Sequence, residues 1–275
     1  PEKIGVFEGD VEIMQGDAAN DSDMRTACLK VDIVVYGVNV PYSDWEKDAL
    51  RLLEPTARMA EELALTLVFP GNVYVFNPED GPEFVETAPT NPVVSKGSIR
   101  QKMESRLKRA SENGAKLIIF RCGDFIGKHA SSTWLKQLIK PNRRGYAVSA
   151  TGPKQVLHTW AYLPDLANTV CQLLENAENL PAFNIFHFKG YQISFEEIAL
   201  AIKQSGHSQV ILKSFPWWII RIMSPFSAVF RGLLEMRYLW NQEINLNEAK
   251  LRQFLPHSIP HTPLSVALKH SGLVT

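Results

Sequence analysis

The chain has 275 residues, enough to bury a full core as one large domain or two modest ones. Lys plus Arg and Asp plus Glu each total 29, so no field of one sign recommends nucleic acid or an anionic membrane as a partner. The three cysteines, Cys28, Cys122 and Cys171, are widely spaced with no CxxC pair, which argues against a disulfide framework or zinc site and for a reducing, cytoplasmic setting.

Near the start, the apolar run Val11-Glu12-Ile13-Met14 leads to Gln15-Gly16-Asp17 and reads as a strand closed by a turn. A polar helix, Ser22 to Leu29, precedes the β-branched strand Val31 to Gly37. Asp44 to Leu65 carries Trp45, Leu52, Leu53, Ala57, Ala60, Leu63 and Ala64 at helical spacing, with Pro55 expected to kink or restart the helix. The strand Thr66 to Phe69 is expected to turn at Pro70-Gly71-Asn72. After a Pro-, Glu- and Thr-rich loop from Asn77 to Pro92, a long helix runs from Lys96 to Glu112 and ends at Asn113-Gly114. The strand Lys116 to Arg121 follows, with a turn expected at Cys122-Gly123-Asp124.

Strand–helix–strand repetition predicts a doubly wound parallel sheet with helices on both faces, a Rossmann-type α/β domain whose first βα unit is absent. Such sheets bind ligands at the carboxyl ends of their strands. That rule selects Gly16-Asp17-Ala18, Gly37-Val38-Asn39, Pro70-Gly71-Asn72 and Gly123-Asp124, each also readable as an ordinary loop turn.

Later in the chain the regularity weakens. Short strands are expected at Tyr146 to Ser149, Phe183 to Phe188 and Gln209 to Leu212. Helices are expected at Pro164 to Asn176, Phe195 to Gln204, Asn247 to Phe254 and Pro263 to His270. We therefore divide the chain into a nucleotide-binding domain, residues 1–145, and a smaller α+β lobe, residues 146–275, that encloses substrate; some of the lobe's sheet elements can return to the first domain. Phe215 to Trp240 is apolar but interrupted by Pro216, Pro225, Arg221, Arg231, Glu235 and Arg237, and holds no uncharged run of about 18 residues. It reads as two amphipathic helices packed on a core, with peripheral membrane contact as the minor reading and no integral segment.

The order of Gly16-Asp17, the strand Asp32 to Val38, Gly71-Asn72-Val73-Tyr74, Arg121-Cys122-Gly123-Asp124-Phe125-Ile126-Gly127 and Tyr162-Leu163-Pro164-Asp165-Leu166-Ala167 resembles the atypical and extended short-chain dehydrogenase/reductases, in their NAD-dependent epimerase/dehydratase-like branch. The resemblance implies an NAD or NADP cofactor. It places Asp17 and Ala18 at the adenine, and Gly37, Val38 and Asn39 at the ribose and pyrophosphate. Gly71, Gly123 and Asp124 would add to the cofactor side. Asp17 could instead cap the following helix.

The family's Ser, Tyr and Lys are not all present. Pro70 stands at the Ser position, and the helix opens Val94-Ser95-Lys96-Gly97-Ser98-Ile99-Arg100 without a tyrosine. Two registers are open: Lys96 and Arg100 in place of Tyr and Lys, or Ser98 and Lys102. The first is preferred because Glu104 then follows where the family often carries a carboxylate. Lys96 becomes the candidate acid/base and Arg100 grips ribose or substrate, while Asn72 and Asp124 either orient a substrate carbonyl or merely satisfy loop amides. Alternatively, Lys96 and Arg100 only hold the cofactor. His158, Tyr162 and Trp217-Trp218 are expected to shape the substrate pocket, with His158 itself read as structural.

No GxxGxxG string occurs in the sequence. If the family pattern holds, about 35 to 45 residues precede Pro1, and the exposed sheet should carry apolar edges. The expected activity is hydride transfer on a small carbonyl, sugar-like or unsaturated substrate. The rival is a non-catalytic NAD(P) sensor, and a weaker one an inactive fragment. A homodimer through the two long helices follows from the resemblance alone.

Overall fold

The structure, a computed structural model, describes residues 11–128, 130, 133–207 and 209–275. Along the chain run α1 (Asp21–Cys28), β1 (Ile33–Val35), α2 (Trp45–Glu62), β2 (Thr66–Asn72), β3 (Glu83–Phe84) and α3 (Ser95–Glu112). Next come β4 (Lys116–Cys122), β5 (Asp124–Ile126), α4 (Trp134–Leu138), β6 (Ile139–Asn142), β7 (Gly145–Ala150), β8 (His158–Tyr162) and α5 (Leu163–Leu174). The remainder holds β9 (Phe183–Phe188), β10 (Tyr191–Ile193), α6 (Phe195–Gln204) and β11 (Gln209–Ser214). It closes with α7 (Trp217–Met223), α8 (Ala228–Glu235), β12 (Asn245–Leu246), α9 (Ala249–Phe254) and α10 (Leu264–His270).

Strands β1, β2, β4 and β9 form one parallel sheet in that order. Period-two alternation divides its side chains between two cores. Leu67, Phe69, Leu117 and Ile119 pack with Leu53, Ala57, Met103 and Leu107 of α2 and α3. Val68, Ile118, Phe120 and Cys122 pack instead with Leu166 and Leu173 of α5 and Leu251 of α9. The expected α/β architecture with both faces covered is what forms.

Several local expectations are corrected. Val11 to Met14 is not a strand: no described strand lies beside it, and Val11, Ile13 and Met14 are exposed. β1 is three residues long and pairs only with β2 among the described strands, leaving Ile33 and Val35 exposed on the apolar edge that was expected. Pro55 lies inside an unbroken α2. Pro70-Gly71-Asn72 is not a turn but the end of β2, in register with Phe120, Arg121 and Cys122. Cys28 and Cys122 are buried and Cys171 is exposed.

The expected turn at Cys122-Gly123-Asp124 is a change of sheet. β4 ends at Cys122, and after Gly123 the chain continues as β5, which pairs in parallel with β8. β10, β8 and β5 make a three-stranded sheet, and β11, β7 and β6 make another. These enclose a separate core with Trp134, Leu135, Phe195, Ile198, Trp240 and Leu268. Phe183 to Phe188, within the second half of the chain, returns to the main sheet as its fourth strand, in register with Leu117 to Cys122. Helices α5, α6, α9 and α10 fall within one or two residues of expectation at most ends. At α6 the boundary is set by a reciprocal Ser194–Glu197 capping box.

Gly123 is required by space, since a Cβ there would overlap the Thr159 carbonyl on the neighbouring strand. At Gly37 a Cβ would meet nothing within 4 Å. Gly123→Ala is therefore expected to lower the unfolding free energy by about 2 kcal/mol or more, and Gly37→Ala to change it by less than about 0.5 kcal/mol. Urea denaturation of the two variants measures the contrast.

Candidate active site

Residues four apart share a helix face, so Lys96, Arg100 and Glu104 form one stripe along α3 that turns inward. Each charge finds a different partner. Lys96 is buried, and its ammonium pairs with the Glu235 carboxylate on α8. Glu235 also accepts from the Ser95 hydroxyl at 2.6 Å and the Lys96 backbone N–H at 3.2 Å. Burial acts to raise the Glu235 carboxyl, but the Lys96 and Ser95 hydrogen bonds outweigh it and leave the carboxyl below its ordinary value.

Arg100 stacks its guanidinium over Trp45 at 4.6 Å and Phe69 at 5.4 Å, and donates to the Pro70 carbonyl at 3.4 Å. Its buried Nε has no partner. Burial pulls the Arg100 group below its ordinary value, opposed by Tyr74 and Tyr42 nearby. Glu104 and Arg121 form a buried two-point ion pair, at 3.1 and 2.6 Å. In the alternative register, Lys102 is exposed and the Ser98 hydroxyl bonds the Val94 carbonyl at 3.3 Å. The Lys96 register is the one that faces inward.

The structure brings Val38, Asn39 and Arg100 into one cleft, with Tyr36 and Trp45. The other expected cofactor residues do not join them there. Asp17 is exposed, and its carboxylate accepts from the Ala19 backbone N–H at 2.9 Å. Asn20, not Asp17, caps α1, accepting from the Ser22 and Asp23 backbones. Ala18 is half-buried beside it and Gly37 is exposed. Gly71 and Gly123 are buried within sheets, against β4 and Thr159 respectively. The Asn72 side chain accepts from the Tyr74 backbone N–H at 3.0 Å, which starts a 3-10 turn over Val73–Val75.

A second cavity is lined by Tyr74, Asp124, Trp134, His158, Trp160 and Trp240, among others. The Asp124 carboxylate accepts from the Trp134 backbone N–H at 2.9 Å, while burial raises its pKa to about 6. His158, packed against Phe195 and Trp240, is lowered by burial to about 4 and is neutral near pH 7. Trp217 and Trp218 do not line this cavity: the Trp217 indole N–H donates to the Thr151 carbonyl, and Trp218 points to solvent. Tyr162 lines a different hollow with Asp165, Tyr191 and His261.

Sequence reasoning missed two tyrosines. The hydroxyls of Tyr42 and Tyr74 lie 2.9 Å apart, and Lys96 Nζ sits 5.4 Å from the Tyr42 ring. Burial is the main force raising both phenols, with the Asp124 charge adding to it. Tyr74 stood within a quoted motif, but the loop that delivers Tyr42 carries no periodic signal. Glu235, the counter-charge of Lys96, is 139 residues away in sequence and was equally hidden.

Residues 51–215 match the RmlD substrate binding domain family. The chain belongs to that family. No curated protein matches it by sequence. Among solved structures, it is similar to L-threonine dehydrogenase from Clostridium difficile at 14% identity and a TM-score of 0.72, covering 95% of this chain and 82% of that one. It is similar to UDP-N-acetylglucosamine 4-epimerase from Bacillus cereus at 13% identity and TM-score 0.68, covering 97% and 84%. It is also similar to dTDP-4-dehydrorhamnose reductase from Bacillus anthracis, solved with NADP, at 16% identity and TM-score 0.64, covering 94% and 86%. At these identities what is shared with these solved structures is the architecture. No helix among the described residues is long and apolar enough to cross a membrane.

The raised Asp124 pKa has a defined sign. The native state keeps a proton between pH 3.8 and about 6 that the unfolded state has released, so stability falls as pH rises through that window. Relative to Asp124→Asn, the wild type is expected to lose on the order of 2 kcal/mol from pH 4 to pH 7, most of it below about pH 6.5. Urea midpoints of both proteins across that range provide the measurement.

Proposed function

We propose that this chain serves NAD(P)-dependent hydride transfer on a small carbonyl, sugar-like or unsaturated substrate, as an oxidoreductase or epimerase/dehydratase-like protein. The observation that carries the reading is Arg100, whose buried Nε is unpartnered in the cleft it shares with Val38 and Asn39. A sugar hydroxyl would satisfy that donor. Membership of the RmlD family and the NADP-bound relative support the same cofactor class.

The residues present fit the ribose side of such a cofactor: Arg100 grips, Val38 and Asn39 line the cleft, and Gly37 has open space beside it. The sequence holds no glycine-rich pyrophosphate turn. The nicotinamide, when bound, supplies or accepts the hydride. Lys96 would hold or release the accompanying proton at Nζ, with Glu235 as its counter-charge. The Tyr42–Tyr74 hydroxyl pair and Asp124 add groups that can exchange protons beside the aromatic cavity, where a compact substrate would sit. Asn72 acts on this site through Tyr74, whose backbone it holds.

The rival reading is an NAD(P)-binding sensor without catalysis. It is favoured by the Glu235 carboxylate that already occupies Lys96 and by the engagement of the Asn72 side chain with Tyr74. Titration of NADH and NADPH, followed by a panel of carbonyl substrates, separates the two. For an enzyme, Lys96→Ala abolishes turnover while nucleotide affinity is kept, and Arg100→Ala weakens affinity about tenfold, roughly 1.4 kcal/mol. Binding without turnover of any substrate supports the sensor. Failure of the folded protein to bind either nucleotide removes both.

A further inference from the structure

Helices α7 and α8 pack against each other and are joined by a 3-10 turn, Ser224–Phe226, to make a short helical hairpin. Its two sides differ sharply. On the inner side, Gly232 lies against Tyr42 and the Lys96 side chain, and Glu235 pairs with the Lys96 ammonium. On the outer side, Phe226 is 82% exposed, Trp218 67%, Ile222 61% and Val229 53%. Trp218 and Ile222, four apart, share one face of α7, and Phe226 in the turn and Val229 at the start of α8 follow them in the chain, an apolar stripe that leads over the turn. Exposed single apolar residues are commonplace, but a contiguous set of four including Trp and Phe marks an interaction surface.

The exposed charges of the segment that carries this stripe are of one sign. From Gln209 to Arg237 the basic residues are Lys213, Arg221, Arg231 and Arg237, and the acidic residue is Glu235, which is turned inward to Lys96. Lys213, Arg221 and Arg231 are exposed and form no salt bridge among the described residues. The Arg231 guanidinium donates to the Ser224 and Pro225 carbonyls, which keeps it beside Phe226. The chain as a whole has balanced charge, so this excess is local to the hairpin.

We propose that the outer face of the α7–α8 hairpin docks on an anionic lipid surface. Trp218, Ile222, Phe226 and Val229 would enter the headgroup–acyl boundary. Lys213, Arg221 and Arg231 would meet lipid phosphates. A second copy of the chain is the poorer occupant, because a two-fold contact through this stripe brings Arg221 and Arg231 toward their own copies. At seven and eight residues, the helices lie on a bilayer and do not span it. Docking in this orientation sets the candidate site, directly beneath α8, at the membrane surface. The proposal does not depend on which chemistry that site performs.

The test is co-sedimentation with phosphatidylcholine vesicles, with and without phosphatidylglycerol. The protein should bind the anionic vesicles, and added salt should release it. Trp218→Ser/Phe226→Ser, which alters exposed side chains only, should weaken binding at least about tenfold while the urea midpoint stays unchanged. Arg221→Glu/Arg231→Glu should do the same through charge alone. Three results would overturn the proposal. One is no binding by the folded wild type to phosphatidylglycerol vesicles. Another is equal binding to both vesicle types that neither double variant reduces. The third is concentration-dependent self-association, abolished by Trp218→Ser/Phe226→Ser, in a protein that ignores vesicles.

Discussion

Three buried or half-buried charges on one face of α3 constrain what can surround it. Lys96, Arg100 and Glu104 are each a turn further along the helix, and none can be left unpaired away from water without a large cost. Their partners come from three directions. Glu235 brings α8 over the first turn, Trp45 and the Pro70 carbonyl bring α2 and the end of β2 to the second, and Arg121 brings β4 to the third. The helix that carries the candidate chemistry is thus also the one whose surroundings are most tightly specified.

A second constraint acts where the chain leaves the main sheet. The lack of a side chain at Gly123 lets β4 run straight into β5 beside Thr159. That close approach sets Asp124 at the mouth of an aromatic cavity rather than in a surface turn. Its carboxylate keeps one backbone hydrogen bond, from Trp134, and is otherwise short of water, which is why its pKa rises. Asp124 reaches the Tyr42–Tyr74 pair as charge, and that pair lies beside Lys96. Groups from four separate stretches of chain therefore converge on one place.

Legibility differed by level. The strand β9 and the helix α6 were read to the residue, since one is a short run rich in phenylalanine and the other opens on its own capping box. Turn chemistry was less reliable. Pro70-Gly71-Asn72 and Gly123-Asp124 carry the residue types of turns, yet the first ends a strand and the second joins one strand to the next. The pairing of Gly71 with Arg121 and of Asp124 with Trp160 overrides local preference. At the site, Lys96, Arg100 and Glu104 were picked out by the resemblance to the short-chain dehydrogenase/reductases, with the Ser98–Lys102 register still open. Tyr42 and Glu235 were not, because nothing near them in sequence announces a partner so far along the chain.

What the sequence determined by itself was the succession of most strands and helices and that Lys96, Arg100 and Glu104, four apart, share one face of a helix. Periodicity is a local property, carried by residues two or four apart, and survives without knowledge of the rest of the chain. Tertiary structure alone decided which carboxylate neutralises Lys96, that Phe183–Phe188 completes the main sheet, and that Trp218 and Phe226 face outward while Trp217 turns in. Each of these depends on contacts between segments far apart in sequence, where register and burial are settled by what packs alongside and not by the residues' own preferences.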